Sequence, residues 1–474
     1  MLNENDLRAR VARAGQDHLF TFWPQLDRDQ QQALLADLAQ VDFDLLDTLT
    51  GAGAPASPIK PAELTPPTCL PAEPASPEDQ RQYAQARQEG LSLIARGKVA
   101  AMVVAGGQGT RLGFDGPKGA FPASPVENKP LFRLFAEGLL ATGLRSGQPV
   151  RWYVMTSPAN DAQTRAFFDE HGHFGLDPGQ VFFFKQGVMP AVDRQGRILL
   201  ADRHRLALSP DGHGGSIRAL ARSGALADLA NHGIEVLSYF QVDNPLVRPV
   251  DPLLIGLHDQ TGSQLSSLTI GKARDDEPVG VFALADGKLG VVEYSDLPAK
   301  LARARNPDGS RTFDAANIAV HVLSRRFLDD LTAPGSGLAQ PWHRAEKIVP
   351  FVDTSTGRRV VPDAPNAIKF EMFIFDALPL ARNPLLLESR RGQVFSPIKN
   401  ATGTDSPDTS RRDQSSRAVG WLEQCGMKVP RNPDGQPDCT VEISPLLAQD
   451  AAELAERLDV PPSIAAGQCF YLAE

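Results

Sequence analysis

The run VAAMVVAGGQGTRLGFDGPKGAF, Val99 to Phe121, constrains the fold more than any other stretch of the chain. Its first residues are apolar without alternation, which reads as a strand buried on both faces of a parallel sheet. Six glycines follow within seventeen residues, Ala105 to Phe121, together with two isolated cations, Arg111 and Lys118. Glycine lets a backbone approach a ligand closely, and a cation beside it points to a negative ligand. Neither familiar glycine motif fits. A dinucleotide fingerprint needs its third glycine where Leu112 stands, and a Walker loop needs Gly-Lys-Ser/Thr where Pro117-Lys118-Gly119 stands. Backbone N–H groups of Gly106, Gly107 and Gly109 ahead of a helix are expected to form an anion-binding concavity. Arg111 can clamp phosphate oxygens with two donors, and Lys118 acts as a compact point charge.

The order around this loop alternates. A helix at PEDQRQYAQARQEGLSLIARG precedes it; PLFRLFAEGLLATGL, VRWYVMTS, DAQTRAFFDEHG and VFFFKQ follow as helix, strand, helix and strand. Such alternation implies an α/β fold with a mostly parallel sheet, whose ligands sit at the carboxyl ends of the strands. Asn5 to Leu46 reads as helices, and GAGAPASPIKPAELTPPTCLPAEPASP as a tether. From about Leu385 the sequence turns polar and turn-rich. The expected division is 1–95, a helical N-terminal region with the Pro/Ala linker; 96–384, a catalytic domain; and 385–474, a small C-terminal domain. A chain of 474 residues has room for these.

The net charge of −9 argues against broad nucleic-acid binding. Cys69, Cys425, Cys439 and Cys469 show no C-x-x-C pairing, so reduced thiols in a cytoplasmic protein are expected. The start MLNENDLRAR is acidic and polar, and no apolar run is long enough to span a bilayer, which points to a soluble chain without a membrane partner.

Several other residues carry chemistry. The Gln186 amide offers one acceptor and two donors, suited to the edge of a nucleobase, although a surface amide is the commoner case. SPDGHGGSIRAL is a glycine turn opening a helix, in which Gly212 lets backbone approach a nucleoside or simply forms an Asp-Gly turn. Asp243 follows the apolar strand LSYFQV, where a carboxylate can hold Mg²⁺ on phosphate oxygens or cap a turn. Sugar-nucleotide glycosyltransferases also place acidic residues after a strand, but they have no need of a glycine loop with Arg and Lys. Lys369 and Lys399 are lone cations in neutral stretches, a pattern that snorkelling surface lysines share. Phe373 and Phe375 fit core packing as well as sugar contact.

Taken together, AGGQGTRLG followed by PKG resembles the signature of the UDP-sugar pyrophosphorylases, in particular the UDP-N-acetylglucosamine pyrophosphorylase branch. KQGVMPA, SPDGHGGSIRAL, QVDNPLVRPVDP, EPVGVF, VVEYSDL, FDAANIAVH, NAIKFEMFIFD and FSPIKNATGTDSPDT follow in that family's order. The resemblance runs from about Asp17 to the C-terminus. It implies a Rossmann-like, GT-A-like nucleotidyltransferase with a mixed sheet, a helical N-terminal segment and a small β-rich C-terminal domain. It implies transfer of a uridylyl group from UTP to a sugar 1-phosphate, with Mg²⁺ or Mn²⁺. By the same resemblance Arg111, Lys118 and Lys399 are catalytic. Ala105, Gly106, Gly107, Gly109, Gln186, Gly212, Asp243 and Lys369 bind the nucleotide, with Asp243 also holding the metal. His213, Gly280, Glu293, Tyr294, Asn317, Phe373 and Phe375 meet the sugar. One residue departs: the branch has Asn where this chain has His213, a larger group that loses its acceptor on protonation. N-acetylglucosamine 1-phosphate leads as substrate, with N-acetylgalactosamine, glucose and galactose 1-phosphates following because of His213, and a non-catalytic UDP-sugar-binding protein as the remaining alternative. Oligomeric state is not legible.

Overall fold

The computed structural model describes residues 4–51, 64–335, 340–457 and 463–473. Residues 52–63, which hold much of the expected Pro/Ala tether, lie outside them.

The chain divides into two compact units. The smaller comprises Met1–Lys60, Gln186–Arg218 and Ala339–Asp376; the larger comprises Pro61–Lys185, Ala219–Leu338 and Ala377–Glu474. This division follows different lines from the boundaries expected near residues 95 and 385, because three separate segments build the smaller unit. Burial explains this grouping. Leu7, Val11, Leu34, Leu38 and Leu46 of the N-terminal helices share one core with Met189, Val192, Ile198 and Phe370. Contacts far apart in sequence leave no local pattern to read.

Strands of the larger unit are β1 Leu64–Thr65, β2 Val99–Val104, β3 Arg151–Thr156, β4 Val181–Lys185, β5 Val236–Gln241, β6 Leu265–Gly271, β7 Val281–Ala285, β8 Lys288–Val292, β9 Ala315–Ser324 and β10 Leu385–Glu388. Among the described residues these ten form one sheet, with the run β1-β7-β9-β5-β2-β3-β4 through its centre. β2 is parallel to β3 and β5, and β3 to β4, as the alternating sequence implies. β9 runs antiparallel to β5 and β6, so the sheet is mixed. β10 joins it, parallel to β6, within the segment expected to open the C-terminal domain. Beyond it come the 18-residue helix Pro407–Gln424 and a parallel pair, β11 Cys439–Ile443 and β12 Gln468–Leu472. The helix was not foreseen. Its residues are mostly polar, and its start is set by a Ser406–Thr409 capping box with Pro407 at the first position.

The helices Pro77–Ala95 and Pro252–Gln260 pack against each other more closely than side chains allow. A Cβ on Gly256 would lie 1.6 Å from the Ala86 carbonyl oxygen, and one on Gly90 1.8 Å from that of Pro252. Two glycines thus let backbone meet backbone. The C-terminal segment is fixed by charge: Asp450 pairs with Arg87 and Arg248, and Glu453 with Arg145 and Arg248. No helix among the described residues is long and apolar enough to cross a membrane. Gly256→Ala is expected to lower the unfolding free energy by ~1–3 kcal/mol or more, read as a lower urea midpoint, since backbone and not a flexible side chain must yield. An unchanged midpoint would show that the two helices do not touch there.

Candidate active site

The glycine loop begins where β2 ends. Ala105 is buried and its N–H donates to Met155 O at 2.8 Å, extending the ladder by one residue. The chain then turns back on itself: Lys118 N–H donates to Gly107 O at 3.0 Å, and Gly109 N–H to Gly116 O at 2.9 Å. This return brings Lys118 beside the first glycines. It also spends the Gly109 N–H, expected to face an anion, on the loop's own pairing. Gly109 is needed for a different reason, because a Cβ there would sit 2.7 Å from the Phe114 ring. The equivalent position on Gly107 meets nothing within 4 Å, so the backbone at Gly107 has open space beside it.

A residue not singled out from sequence holds this turn. The buried Asn160 side chain donates to Ala105 O at 2.9 Å and to Gly107 O at 3.2 Å. Its Oδ1 accepts from Ser157 N–H at 2.8 Å. Asn160 stands at the N-cap of helix Asp161–Glu170 yet does not cap it. A polar cap residue is the visible signal; its diversion to the loop is not.

Asp243 lies two residues past the end of β5, and Val242 N–H donates to Val104 O at 3.1 Å, keeping β2 and β5 side by side. Lys118 Nζ stands 3.7 Å from Asp243 Oδ2, with only 17% and 15% of the two side chains exposed. At that separation the lysine keeps its donors for another acceptor while the carboxylate offsets its charge. Asp243 O accepts from Ile398 N–H at 2.8 Å, and Asn244, also missed, accepts from Ser396 N–H at 3.0 Å and donates to Val394 O at 2.7 Å. The segment leading to Lys399 is thereby pinned to the residues that carry the carboxylate. Lys399 itself is exposed, its Nζ 5.7 Å from the Phe395 ring centre, and Arg111 is exposed in the turn Thr110–Leu112. Among the described residues no three His, Cys, Asp or Glu side chains cluster as a metal cage. A single carboxylate fits Mg²⁺, which takes most of its ligands from water and phosphate.

Three residues expected at the sugar come together. Asn317 N–H donates to Gly280 O at 2.8 Å, and a Cβ on Gly280 would lie 3.2 Å from Glu293 Oε1. Asn317 Oδ1 accepts from Ala319 N–H at 3.0 Å, where Ala319 takes φ 55° near the register shift between β6 and β9. The strained bulge thus fixes the Asn317 amide, leaving its NH₂ as donor. Tyr294 is 57% exposed.

The smaller unit carries the rest. Gln186 Nε2 donates to Gly212 O at 2.8 Å, which fixes the amide and leaves Oε1 as acceptor. Gly212 has φ 81°, and a Cβ there would meet Met372 O at 2.3 Å, so no other residue fits. Lys369 lies on strand Ala367–Glu371, paired with Ala345. Phe373 and Phe375 stack at 5.1 Å, and His213 lies 5.3 and 5.6 Å from them; His343 sits 4.6 Å from Phe373. Ile374 N–H donates to His213 Nδ1 at 3.2 Å. That bond requires an unprotonated Nδ1, so the neutral ring carries its proton on Nε2. Burial, with His343 nearby, lowers the His213 pKa to about 4. The loss of the acceptor on protonation, expected from sequence, is therefore averted near neutral pH.

Residues 69–401 match the UTP–glucose-1-phosphate uridylyltransferase family. The chain belongs to that family. It is a uridylyltransferase that makes a UDP-sugar. A human protein named UDP-N-acetylhexosamine pyrophosphorylase-like protein 1 is 38% identical, over 94% of this chain and 93% of its own. The UDP-N-acetylglucosamine pyrophosphorylase of Saccharomyces cerevisiae is 34% identical, over 95% and 96%. Among solved structures, the uridine diphosphate N-acetylglucosamine pyrophosphorylase of Trypanosoma brucei, in complex with an inhibitor, matches with a TM-score of 0.81 and 27% identity, covering 100% of this chain and 99% of that one.

The neutral His213 makes a prediction. Below pH 6.5 the unfolded chain binds a proton at this ring that the folded chain refuses until about pH 4. Its stabilising contribution is thus complete above pH 6.5 and is lost as pH falls towards 4. Between pH 6.5 and 5 the wild type should lose roughly 1–2 kcal/mol more unfolding free energy than His213→Asn. Parallel losses in urea titrations would show that His213 protonates normally in the folded chain.

Proposed function

We propose that the sugar substrate is N-acetylglucosamine 1-phosphate, that Mg²⁺ takes part, and that Arg111, Lys118, Asp243 and Lys399 carry the transfer. One observation supports the residue roles above the others: Lys118 and Asp243 stand 3.7 Å apart at the carboxyl ends of two parallel strands, and the Lys399 segment is hydrogen-bonded to the same aspartate. The sugar assignment is supported by the N-acetylated sugars in the names of the human and yeast relatives.

In this reading a phosphate oxygen of the sugar 1-phosphate attacks the α-phosphorus of UTP in line, and pyrophosphate leaves on the opposite side. The nucleophile is already anionic at neutral pH, so no side chain has to remove a proton. What the chain must supply is position and positive charge. Arg111 and Lys118 hold the α-phosphate and the leaving phosphates, with backbone at Gly106 and Gly107 close against them. Lys399 meets the sugar phosphate, and Asp243 holds Mg²⁺, whose charge would offset that of the phosphate oxygens. Gln186 Oε1 suits the N3–H of uracil. Gly280, Glu293 and Asn317 suit sugar hydroxyls, which can give to a carboxylate and take from an amide.

The test is pyrophosphate release from UTP and Mg²⁺ with N-acetylglucosamine, N-acetylgalactosamine, glucose and galactose 1-phosphates in turn. Release is expected to be fastest with N-acetylglucosamine 1-phosphate; a faster rate with glucose or galactose 1-phosphate would transfer the assignment to a non-acetylated sugar. Lys118→Met should lower kcat by roughly 10²–10³, as loss of one oxyanion donor does. A rise in KM alone would remove Lys118 from the transition state. Asp243→Asn should raise the Mg²⁺ concentration needed for half-maximal rate, and an unchanged metal titration would rule it out as the ligand.

A further inference from the structure

The helix Pro407–Gln424 offers a row of side-chain donors to backbone carbonyls of the loops that bear the charged residues. Ser410 Oγ donates to Ser396 O at 2.8 Å, three residues before Lys399. Arg411 Nη2 donates to Pro122 O at 2.8 Å, and Gln414 Nε2 to Ala123 O at 3.0 Å. These carbonyls close the glycine loop: Phe121 N–H, one residue earlier, donates to Lys118 O at 3.0 Å. One turn further on, Arg417 Nη1 donates to Leu246 O at 2.8 Å, three residues past Asp243, and to Gln393 O at 3.1 Å. Positions 410, 411, 414 and 417 follow helical spacing along one face. That face touches the Lys118, Asp243 and Lys399 segments in turn.

We propose that this helix face sets the spacing of the three charged segments, and that Arg411 and Gln414 are positioning residues for Lys118. The inference rests on the roles given to Lys118, Asp243 and Lys399 above. Its physical basis is the kind of contact used. Apolar packing tolerates sliding, whereas a donor aimed at one carbonyl fixes a backbone position to a fraction of an ångström. Arg411 adds a rigid guanidinium fork, and its Nη2 reaches a carbonyl that no helix or strand ladder satisfies. Ser410 and Gln414 are buried, so solvent does not readily replace their bonds. Removing one donor should let the loop exit drift without emptying the substrate site. The effect belongs in turnover and not in substrate affinity.

The experiment compares Arg411→Met, Arg411→Lys and Gln414→Met with the full-length wild type, each corrected for folded protein by circular dichroism and urea titration. Arg411→Met is expected to lower kcat about 10- to 100-fold, the scale on which an ångström of misplacement acts, with KM for UTP within about threefold. Arg411→Lys and millimolar guanidinium added to Arg411→Met should each restore part of kcat. A general loss of stability has no reason to respond to either. Should Arg411→Met fail to fold, Gln414→Met carries the test at Ala123, with a smaller fall in kcat. Wild-type turnover with variant kcat within about twofold, or a change in KM alone, overturns the positioning role. Absence of turnover in the wild type with every sugar 1-phosphate overturns the reaction itself, and this inference with it.

Discussion

β2 is buried along almost its whole length, and the chain that leaves it begins its bend at Ala105, which is still fully buried. An unmet buried carbonyl costs roughly 1–3 kcal/mol, enough to reverse the bend if nothing supplies a donor. Asn160 supplies two bonds from one amide, to Ala105 and Gly107. The returning loop supplies a second donor to Gly107 through Lys118 N–H. The turn from Ala105 to Gly107 is therefore held from one side, and Lys118 is brought beside it by the same bond that completes the turn.

Electrostatics builds on that geometry. A lysine and an aspartate largely removed from water, 3.7 Å apart, attract each other more strongly than a surface pair would, yet neither is consumed by a direct hydrogen bond. The carboxylate keeps the unliganded lysine from being an isolated buried charge. In the proposed reading the same carboxylate would also hold Mg²⁺, since one carboxylate plus phosphate oxygens is a common arrangement for that ion. A site that must receive two polyanions gains from cations fixed in advance, because little reorganisation is then left for the reaction step.

How much of this the sequence disclosed follows from the range of the interactions. β2 to β5, the helices between them and the glycine loop are legible because apolar runs, periodicity and turn residues are local signals. The antiparallel strand β9 inside the sheet depends on non-local pairings such as Tyr239 with His321 and Leu265 with Leu323, and the joining of 186–218 and 339–376 with the N-terminal helices depends on contacts farther apart still. Arg111 and Lys118 stood out as charges beside glycine, Asp243 as a carboxylate after an apolar strand, and Lys399 as a lone cation in a neutral stretch. Asn160, Asn244 and Arg411 did not, because each acts on a backbone carbonyl, and carbonyls leave no mark in a sequence. The polar helix Pro407–Gln424 is the extreme case: residues that read only as polar, turn-rich sequence are donors turned towards loops.

His213 shows how one bond narrows what a substitution can mean. Its Nδ1 is occupied by the Ile374 N–H, its ring lies against Phe373 and Phe375, and burial keeps it neutral. What remains for a ligand is a single donor, Nε2–H. An asparagine at the same position would bring an acceptor as well as donors. An acetamido group carries both a carbonyl oxygen and an N–H, so a lone donor can still satisfy its oxygen while leaving the N–H to another partner. With His213 at the sugar, as the resemblance implies, and under the proposed substrate, the exchange of Asn for His would remove one contact with an acetylated sugar without opposing the stronger acceptor on it. A hydroxyl, which can accept as well as give, is served by the same donor. Discrimination between the two then falls to the shape of the space around the ring, where a misfit of one small group is worth ~1–3 kcal/mol.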